Sequence, residues 1–177
     1  IVKHHLIADE KAWKVLQNTD LQAINTEMLI HHSITIKADI VAKDFDEQHI
    51  RKALNFGHTI GHAIESYFLG FDGEKILHGE AVAIGIICES HISFQKGLIS
   101  EKELSEISTY IRSHFRLPDV PIFAYSHIFE LMKQDKKNHN QLILCVLLKE
   151  IGQVLIGQAI SFENFVESLN YYQKNEK

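Results

Sequence analysis

Proline is the feature of this sequence that most constrains its fold. Only two prolines occur in 177 residues, and both, Pro118 and Pro121, lie in one short segment. Proline inside a helix removes a backbone donor and clashes with the preceding turn, so long stretches without it can be helical. The part of the chain before Pro118 is therefore predicted to be helical, and a change of architecture is predicted after Pro121.

Apolar residues before this break recur at the spacing of helices that bury one face. Periodic segments run from Leu21 to about Lys43 and from Thr59 to Leu69, with Gly70 predicted as a left-handed helix cap. A third segment, from His78 to about Gln95, is apolar nearly all round and ends at Gly97. Such a composition predicts a buried central helix.

The rest of the chain predicts further helices and one hairpin. Ser100 and Glu103 form a capping box that begins a helix reaching about Phe115. The predicted fold class is mainly α, a helical bundle with one small β-hairpin, and residues 1–177 are predicted to form one domain. The elements predicted after the break are a short helix from Tyr125 to Lys133, strands over Leu142–Leu148 and Val154–Ile160, and a last helix capped by Ser161.

Composition limits the classes of partner. The hydrophobic share is 45%, enough for a sizeable core, and the net charge is −5 with histidine neutral. A negative net charge gives no indication of binding to nucleic acid or to a membrane. Basic residues gathered at one place would therefore serve to bind an anionic ligand. Cys88 and Cys145 lie in apolar runs and are predicted to be buried free thiols. No signal peptide or bilayer-length apolar run is visible, so the expected compartment is the cytoplasm.

Three histidines form the most informative cluster of polar residues. His58 and His62 lie one helical turn apart, and His78 begins the next predicted helix. Gly57 and Gly61 follow a neighbouring line of the same helix, where missing side chains allow another backbone or a ligand to approach closely. Spacing alone makes His58 and His62 joint ligands of a zinc-like ion. The alternative is that both are partly buried polar residues, and the other histidines are predicted to be exposed or hydrogen-bonded.

The segment from Asn55 to Glu65, with its two Gly-His pairs, is followed by a His-Gly-Glu-Ala run at His78. Together they resemble the C-terminal domain of the 3-dehydroquinate synthase family. The resemblance covers essentially the whole chain and extends to Ile1-Val-Lys3, Lys37-Ala38 and Asp135-Lys-Lys-Asn138.

The resemblance implies roles for the histidines that differ from those the spacing suggests. His58 and His78 match metal ligands, and the implied metal is Zn2+ or Co2+. His62 matches a catalytic residue that contacts substrate and handles protons. The family's third ligand, a glutamate, would fall just before Ile1, and we expect the chain to be a fragment of a longer protein.

The resemblance also implies an anion-binding set. Lys3 and Arg51 match catalytic positions, and Arg51 also contacts substrate together with Lys37 and Asn55. One or both of Lys136 and Lys137 would complete the set. Read without the resemblance, Lys37 and Arg51 are helix-surface charges and the lysine pair is a solvated turn.

The implied parent enzyme converts 3-deoxy-D-arabino-heptulosonate 7-phosphate to 3-dehydroquinate and phosphate, and it is implied to be a homodimer. NAD would be held mainly by an N-terminal domain that this chain lacks. Phe45 and His49 depart from the family pattern, which predicts a changed loop. Alternatives are another sugar phosphate cyclase, an iron- or zinc-dependent polyol dehydrogenase, and a metal-free helical interaction module.

Overall fold

The computed structural model describes residues 1–19, 25–70, 75–134 and 142–174, and it confirms a mainly helical fold with one hairpin. Two short 3-10 segments, Ile50–Asn55 and Ile122–Ala124, join longer elements. The helices are α1 (Val2–Ala8), α2 (Glu10–Gln17), α3 (Thr26–Lys43), α4 (His58–Leu69), α5 (His78–Gln95), α6 (Glu101–His114), α7 (Tyr125–Gln134) and α8 (Phe162–Lys174), and the strands are β1 (Ile143–Glu150) and β2 (Gln153–Ile160).

Helix α5 forms the centre of the fold, as its all-round apolar sequence predicts. It packs against α4, α6, α8 and β1, and Ile84, Ile87 and Ile92 are completely buried. Each such side chain contributes about 1.5–3 kcal/mol through removal from water. Among the described residues, none of the helices combines the length and the hydropathy needed to cross a bilayer.

Glycines allow α4 and α5 to touch backbone to backbone. A Cβ placed on Gly85 would lie 2.0 Å from the carbonyl oxygen of Gly57, and one on Gly61 would lie 2.9 Å from that of Ala81. The close approach predicted at Gly57 and Gly61 is therefore confirmed: backbone atoms of α5 approach both glycines, and a side-chain carbon of Ile86 also approaches Gly57. Gly85 contributes the other half of the contact. This packing sets the first turn of α5, with His78, beside the histidines of α4.

The helix boundaries predicted from the sequence have different outcomes. Gly97 has φ +69° and the Ser100 capping box is present, so both predictions are confirmed. The left-handed cap at Gly70 is wrong, because Gly70 has φ −80°. Its N–H donates to the carbonyl oxygens of Ser66 and Tyr67, which continues the right-handed turn. The predicted start of a helix at Leu21 lies outside the described residues, and α3 begins after the Asn25 cap.

The hairpin holds α1 in place. Its turn is formed at Ile151 and Gly152, and both strands extend further toward this turn than the sequence predicted. Gly152 has φ +92°, a conformation that favours glycine, and its N–H donates to the carbonyl oxygen of Leu6 at 2.8 Å. Because Leu6 belongs to α1, this bond positions the helix that carries Lys3.

His5 departs from the prediction that histidines outside the cluster are exposed or hydrogen-bonded. It is 1% exposed, and neither ring nitrogen has a hydrogen-bond partner among the described residues. Burial first, and then the neighbouring His32, lower the pKa of His5 to about 4. The ring is therefore neutral in the folded protein at pH 7.

Acid should destabilise the fold through His5. The unfolded chain gains a proton on this ring below pH 6.5, while the folded chain stays neutral until about pH 4. We expect His5 to cost about 2–3 kcal/mol of unfolding free energy as the pH falls through that window. Urea unfolding of the wild type and of His5→Leu between pH 7 and 4 measures this. Equal pH slopes in the two proteins would contradict the assignment.

Candidate metal and anion site

The structure brings the three predicted histidines together. His58 and His62 come from α4, His78 comes from the first turn of α5, and one ring nitrogen of each lies within 4.8 Å of those of the other two. Their ring centroids are 5.1 to 5.6 Å apart. The arrangement depends on the α4–α5 glycine contact, because a wider helix separation would move His78 away.

His58 is fixed in one tautomer. Its Nδ1 lies 3.1 Å from the carbonyl oxygen of Phe56, and since a carbonyl can only accept, Nδ1 carries the hydrogen. Nε2 then keeps its lone pair. Burial first, and then the charge of Lys3, lower the pKa of His58 to about 4. A neutral ring whose Nε2 carries the lone pair is the form that binds a metal ion.

His78 is oriented by a carboxylate. Its Nδ1 lies 3.0 Å from Oε2 of Glu65, which projects from α4 one turn beyond His62. A carboxylate hydrogen-bonded to one imidazole nitrogen is the usual outer partner of a metal-binding histidine. The contact leaves Nε2 of His78 as the nitrogen available to an ion.

These donors fit a zinc-like ion. Zinc takes imidazole nitrogens at about 2.0–2.1 Å, so two ligands of a tetrahedral ion lie about 3.3 Å apart. Separations of up to 4.8 Å between the ring nitrogens leave a gap that modest side-chain rotation closes. A hydrogen bond holds Nδ1 of His58 and another holds Nδ1 of His78. The ring of His62 lies beside both, with centroid distances of 5.1 and 5.5 Å.

Cationic side chains line a cavity of about 250 Å³ beside His58. Lys3, Lys37, Arg51 and Asn55 all belong to its lining, so four of the predicted substrate residues share one cavity. They come from α1, α3 and the Ile50–Asn55 segment. The remaining pair, Lys136 and Lys137, lies outside the described residues.

Lys3 links the cationic cavity to the histidines. Its ammonium donates to the carbonyl oxygen of Leu54 at 2.6 Å and lies 3.5 Å from Nε2 of His58. Burial first, and then the charge of Lys37, lower the pKa of Lys3 to about 8, while Glu89 opposes this shift. An anionic ligand would relieve the repulsion between the two lysines, so the cavity is suited to negative charge.

Asp44 organises the loop that leads to Arg51. Its carboxylate accepts the backbone N–H groups of Gln48, His49 and Arg51 at 2.7 to 3.0 Å. Although burial raises the pKa of Asp44, these bonds outweigh burial and lower it. Both departures from the family pattern lie in this loop: Phe45 is 80% exposed, and the N–H of His49 is one of those that Asp44 accepts.

Glu47 is a site residue that the sequence reasoning did not assign. Its Oε1 accepts from Nδ2 of Asn55 at 3.0 Å, and its Oε2 lies 3.9 Å from Nε of Arg51. Arg51 also donates from Nη1 to the carbonyl oxygen of Phe45 at 2.6 Å. Glu47 thus orients two predicted substrate residues, and its four-residue spacing before Arg51 was the available signal.

Glu89 is a second unassigned residue, and it is completely buried. Its Oε2 accepts the N–H of Gly57 at 2.7 Å, and Oε1 has no hydrogen-bond partner among the described residues. Burial raises the pKa of Glu89 to about 8, against the opposing effects of the first N–H groups of α4 and the charge of Lys3. A carboxyl group within the apolar α5 sequence was the signal that could have drawn attention to it.

A second cavity of about 240 Å³ shares His58 and Lys3 with the cationic cavity. It is lined by His58, His78 and Lys3 together with apolar side chains, among them Ile86 and Phe115. His58 therefore lines both a cationic cavity and a mainly apolar one. This geometry can hold a divalent ion with an anionic ligand on one side of it.

Comparison with known proteins gives one consistent family. Residues 1–138 match the family described as 3-dehydroquinate synthase C-terminal. The 3-dehydroquinate synthase of Parabacteroides distasonis is 38% identical over 99% of this chain and 50% of its own length. That of Streptococcus mutans is 38% identical over 96% of this chain and 48% of its own length. The chain spans about half the length of the curated relatives it matches.

Solved structures with the same fold include two sugar phosphate cyclases. The 2-epi-5-epi-valiolone synthase of Streptomyces hygroscopicus, with NAD+ and Zn2+ bound, has a TM-score of 0.80 and 17% identity over 99% of this chain and 49% of its own. A 2-deoxy-scyllo-inosose synthase complexed with carbaglucose-6-phosphate, NAD+ and Co2+ has a TM-score of 0.75 and 23% identity over 96% of this chain and 49% of its own.

Proposed function

We propose that this chain, which belongs to the 3-dehydroquinate synthase family, is the metal- and substrate-binding half of a 3-dehydroquinate synthase. The parent enzyme would convert 3-deoxy-D-arabino-heptulosonate 7-phosphate to 3-dehydroquinate and phosphate. The nucleotide-binding half, which would hold most of NAD, would be a separate N-terminal domain. We further propose that the parent protein is a cytoplasmic homodimer.

One observation carries the proposal: the histidine cluster and the cationic cavity share His58, and the Lys3 ammonium of that cavity lies 3.5 Å from its Nε2. A phosphorylated sugar acid carries a carboxylate and a phosphate besides its hydroxyls. Arginine matches the planar fork of a carboxylate, and a lysine ammonium is a point charge suited to phosphate. A ligand seated in the cationic cavity would place hydroxyl groups next to His58.

The proposed metal ligands are His58 and His78, with a glutamate directly before Ile1 as the third. When bound, Zn2+ or Co2+ would polarise the hydroxyl undergoing oxidation and orient the substrate. The chain prepares its share of this site by holding both Nδ1 atoms, at Phe56 and at Glu65. Nε2 of each ring is then the nitrogen that would bind the ion.

The other side chains of the site would bind the anionic groups of the substrate or transfer a proton. Lys3, Lys37 and Arg51 would neutralise the two anionic groups, and their charges would stabilise phosphate as it leaves. Asn55, oriented by Glu47, can donate to a substrate hydroxyl. His62 lies beside both metal-binding histidines and can take or give a proton at the substrate.

The 177-residue chain alone is expected to be inactive, because it spans about half the length of its curated relatives and the proposed NAD-binding half is not part of it. We expect the purified 177-residue chain to release no phosphate from the substrate with NAD, and to hold zinc only weakly. The full-length protein carrying this chain should release phosphate in an NAD-dependent reaction. A phosphate assay on both proteins tests this, and NAD-dependent turnover by the chain alone would contradict it.

A sister cyclase acting on another sugar phosphate is the second candidate. The solved structures named above favour it, since they are cyclases with this fold. The two candidates share the histidines and the cationic cavity. Assays of the full-length protein with 3-deoxy-D-arabino-heptulosonate 7-phosphate and with glucose 6-phosphate separate them, because turnover of glucose 6-phosphate alone would exclude the first.

A further inference from the structure

One peptide group connects Glu89 to His58. The N–H of Gly57 donates to Oε2 of Glu89 at 2.7 Å. The carbonyl of Phe56, which belongs to the same peptide group, accepts from Nδ1 of His58 at 3.1 Å. A continuous path of hydrogen bonds therefore runs from a buried carboxyl, through the Phe56–Gly57 peptide, to the imidazole.

The local backbone makes both ends of this peptide available. Phe56 has φ −54° and ψ 127°, and Gly57 has φ 77° and ψ −8°. These are the central angles of a type II turn, which needs glycine at its second central position. The closing bond of such a turn uses the flanking residues, so the central N–H and carbonyl remain free to bond elsewhere.

Helix α5 fixes the turn at two points. Gly85 packs against the carbonyl oxygen of Gly57, and Glu89 follows one helical turn later on the same face of α5. Glu89 is completely buried, so water does not compete for the Gly57 N–H. A buried N–H left without an acceptor would cost about 1–3 kcal/mol.

We propose that Glu89 is a positioning residue for His58: through the Phe56–Gly57 peptide it holds the ring in the Nδ1–H tautomer, with the Nε2 lone pair turned toward the metal position. The inference rests on the proposed function for the statement that His58 is a ligand. The paired ligand His78 receives the same support directly from Glu65. The carboxyl oxygen accepts from Gly57 in either charge state, so the support does not depend on ionisation.

The test is the tautomer of His58, read from nitrogen-15 NMR of the metal-free chain, with its signals identified by their loss in His58→Gln. The wild type should show the Nδ1–H form. Glu89→Gln keeps an acceptor oxygen and should keep that form, whereas Glu89→Leu should shift the ring toward the Nε2–H form. The zinc concentration that perturbs the His58 signals should rise 10- to 100-fold in Glu89→Leu.

Ser93→Ala is the matched control. Ser93 is as buried as Glu89, lies one turn further along α5, and holds the backbone N–H of Leu148 instead of the turn. It should leave the His58 tautomer unchanged. A wild-type tautomer in Glu89→Leu would overturn the proposal. If zinc does not perturb the His58 signals in the wild type, that result counts against the proposed metal site. The tautomer of His58 still tests the positioning role in that case.

If Glu89→Leu does not fold, the wild type decides. A Gly57 amide protected from solvent exchange, together with an Nδ1–H ring at His58, supports the proposal. A rapidly exchanging Gly57 amide or an Nε2–H ring contradicts it.

Discussion

Replacing Gly85 with alanine should abolish the native pairing of α4 and α5. The new Cβ would lie 2.0 Å from the carbonyl oxygen of Gly57 and 2.8 Å from the backbone nitrogen of Gly61. Both neighbours are backbone atoms, so no side-chain rotation relieves the overlap. We expect the unfolding free energy to fall by about 4 kcal/mol or more, a large part of the 5–15 kcal/mol typical of a domain.

Gly79→Ala is the matched control, because it makes the same substitution in the same helix. Nothing lies within 4 Å of a Cβ at Gly79, and the residue is exposed. Alanine should leave stability unchanged or raise it by up to about 1 kcal/mol. Urea unfolding of the two variants gives the comparison, and a Gly85→Ala protein as stable as Gly79→Ala would refute the close packing.

Replacing His58 or His78 with alanine should remove most of the activity of the full-length protein. Each change deletes a proposed metal ligand, and the metal's polarisation of the substrate hydroxyl is worth several kcal/mol. We expect kcat/KM for phosphate release to fall by about a thousandfold, which corresponds to about 4 kcal/mol. Initial rates with saturating NAD and added zinc measure the loss.

His127→Ala is a control for removing an exposed imidazole elsewhere. His127 lies on α7, where its ring contacts that of Tyr67, and it does not line either cavity described above. Its replacement should change kcat/KM by less than about twofold. Full activity in His58→Ala or His78→Ala would favour the metal-free interaction module.

The sequence predicted the helices and the histidine cluster because both depend on short-range spacing. The apolar run from His78 to Gln95 predicted a buried helix, and α5 has those bounds. His58 and His62 are one turn apart on any helix, so their proximity follows from spacing alone. The failed cap at Gly70 shows the limit, because two local hydrogen bonds kept that glycine in a right-handed conformation.

The cationic cavity could not be derived from spacing. Lys3, Lys37 and Arg51 come from three separate elements. The local sequence pattern predicts only that Lys37 and Arg51 are charges on a helix surface. Only the family resemblance predicted that they converge. Glu89 was missed for a related reason: its partner Gly57 is 32 residues away, and their contact depends on the register of α5 against α4.

The most direct test of the proposed metal site is the visible absorption of Co2+ added to the full-length protein, since this absorption depends on the ligands of the ion. Ligation by His58 and His78 predicts an absorption band that His58→Ala and His78→Ala each abolish, and that His62→Gln retains because His62 is assigned to the substrate. A band unchanged in His58→Ala and His78→Ala would contradict the proposed metal site.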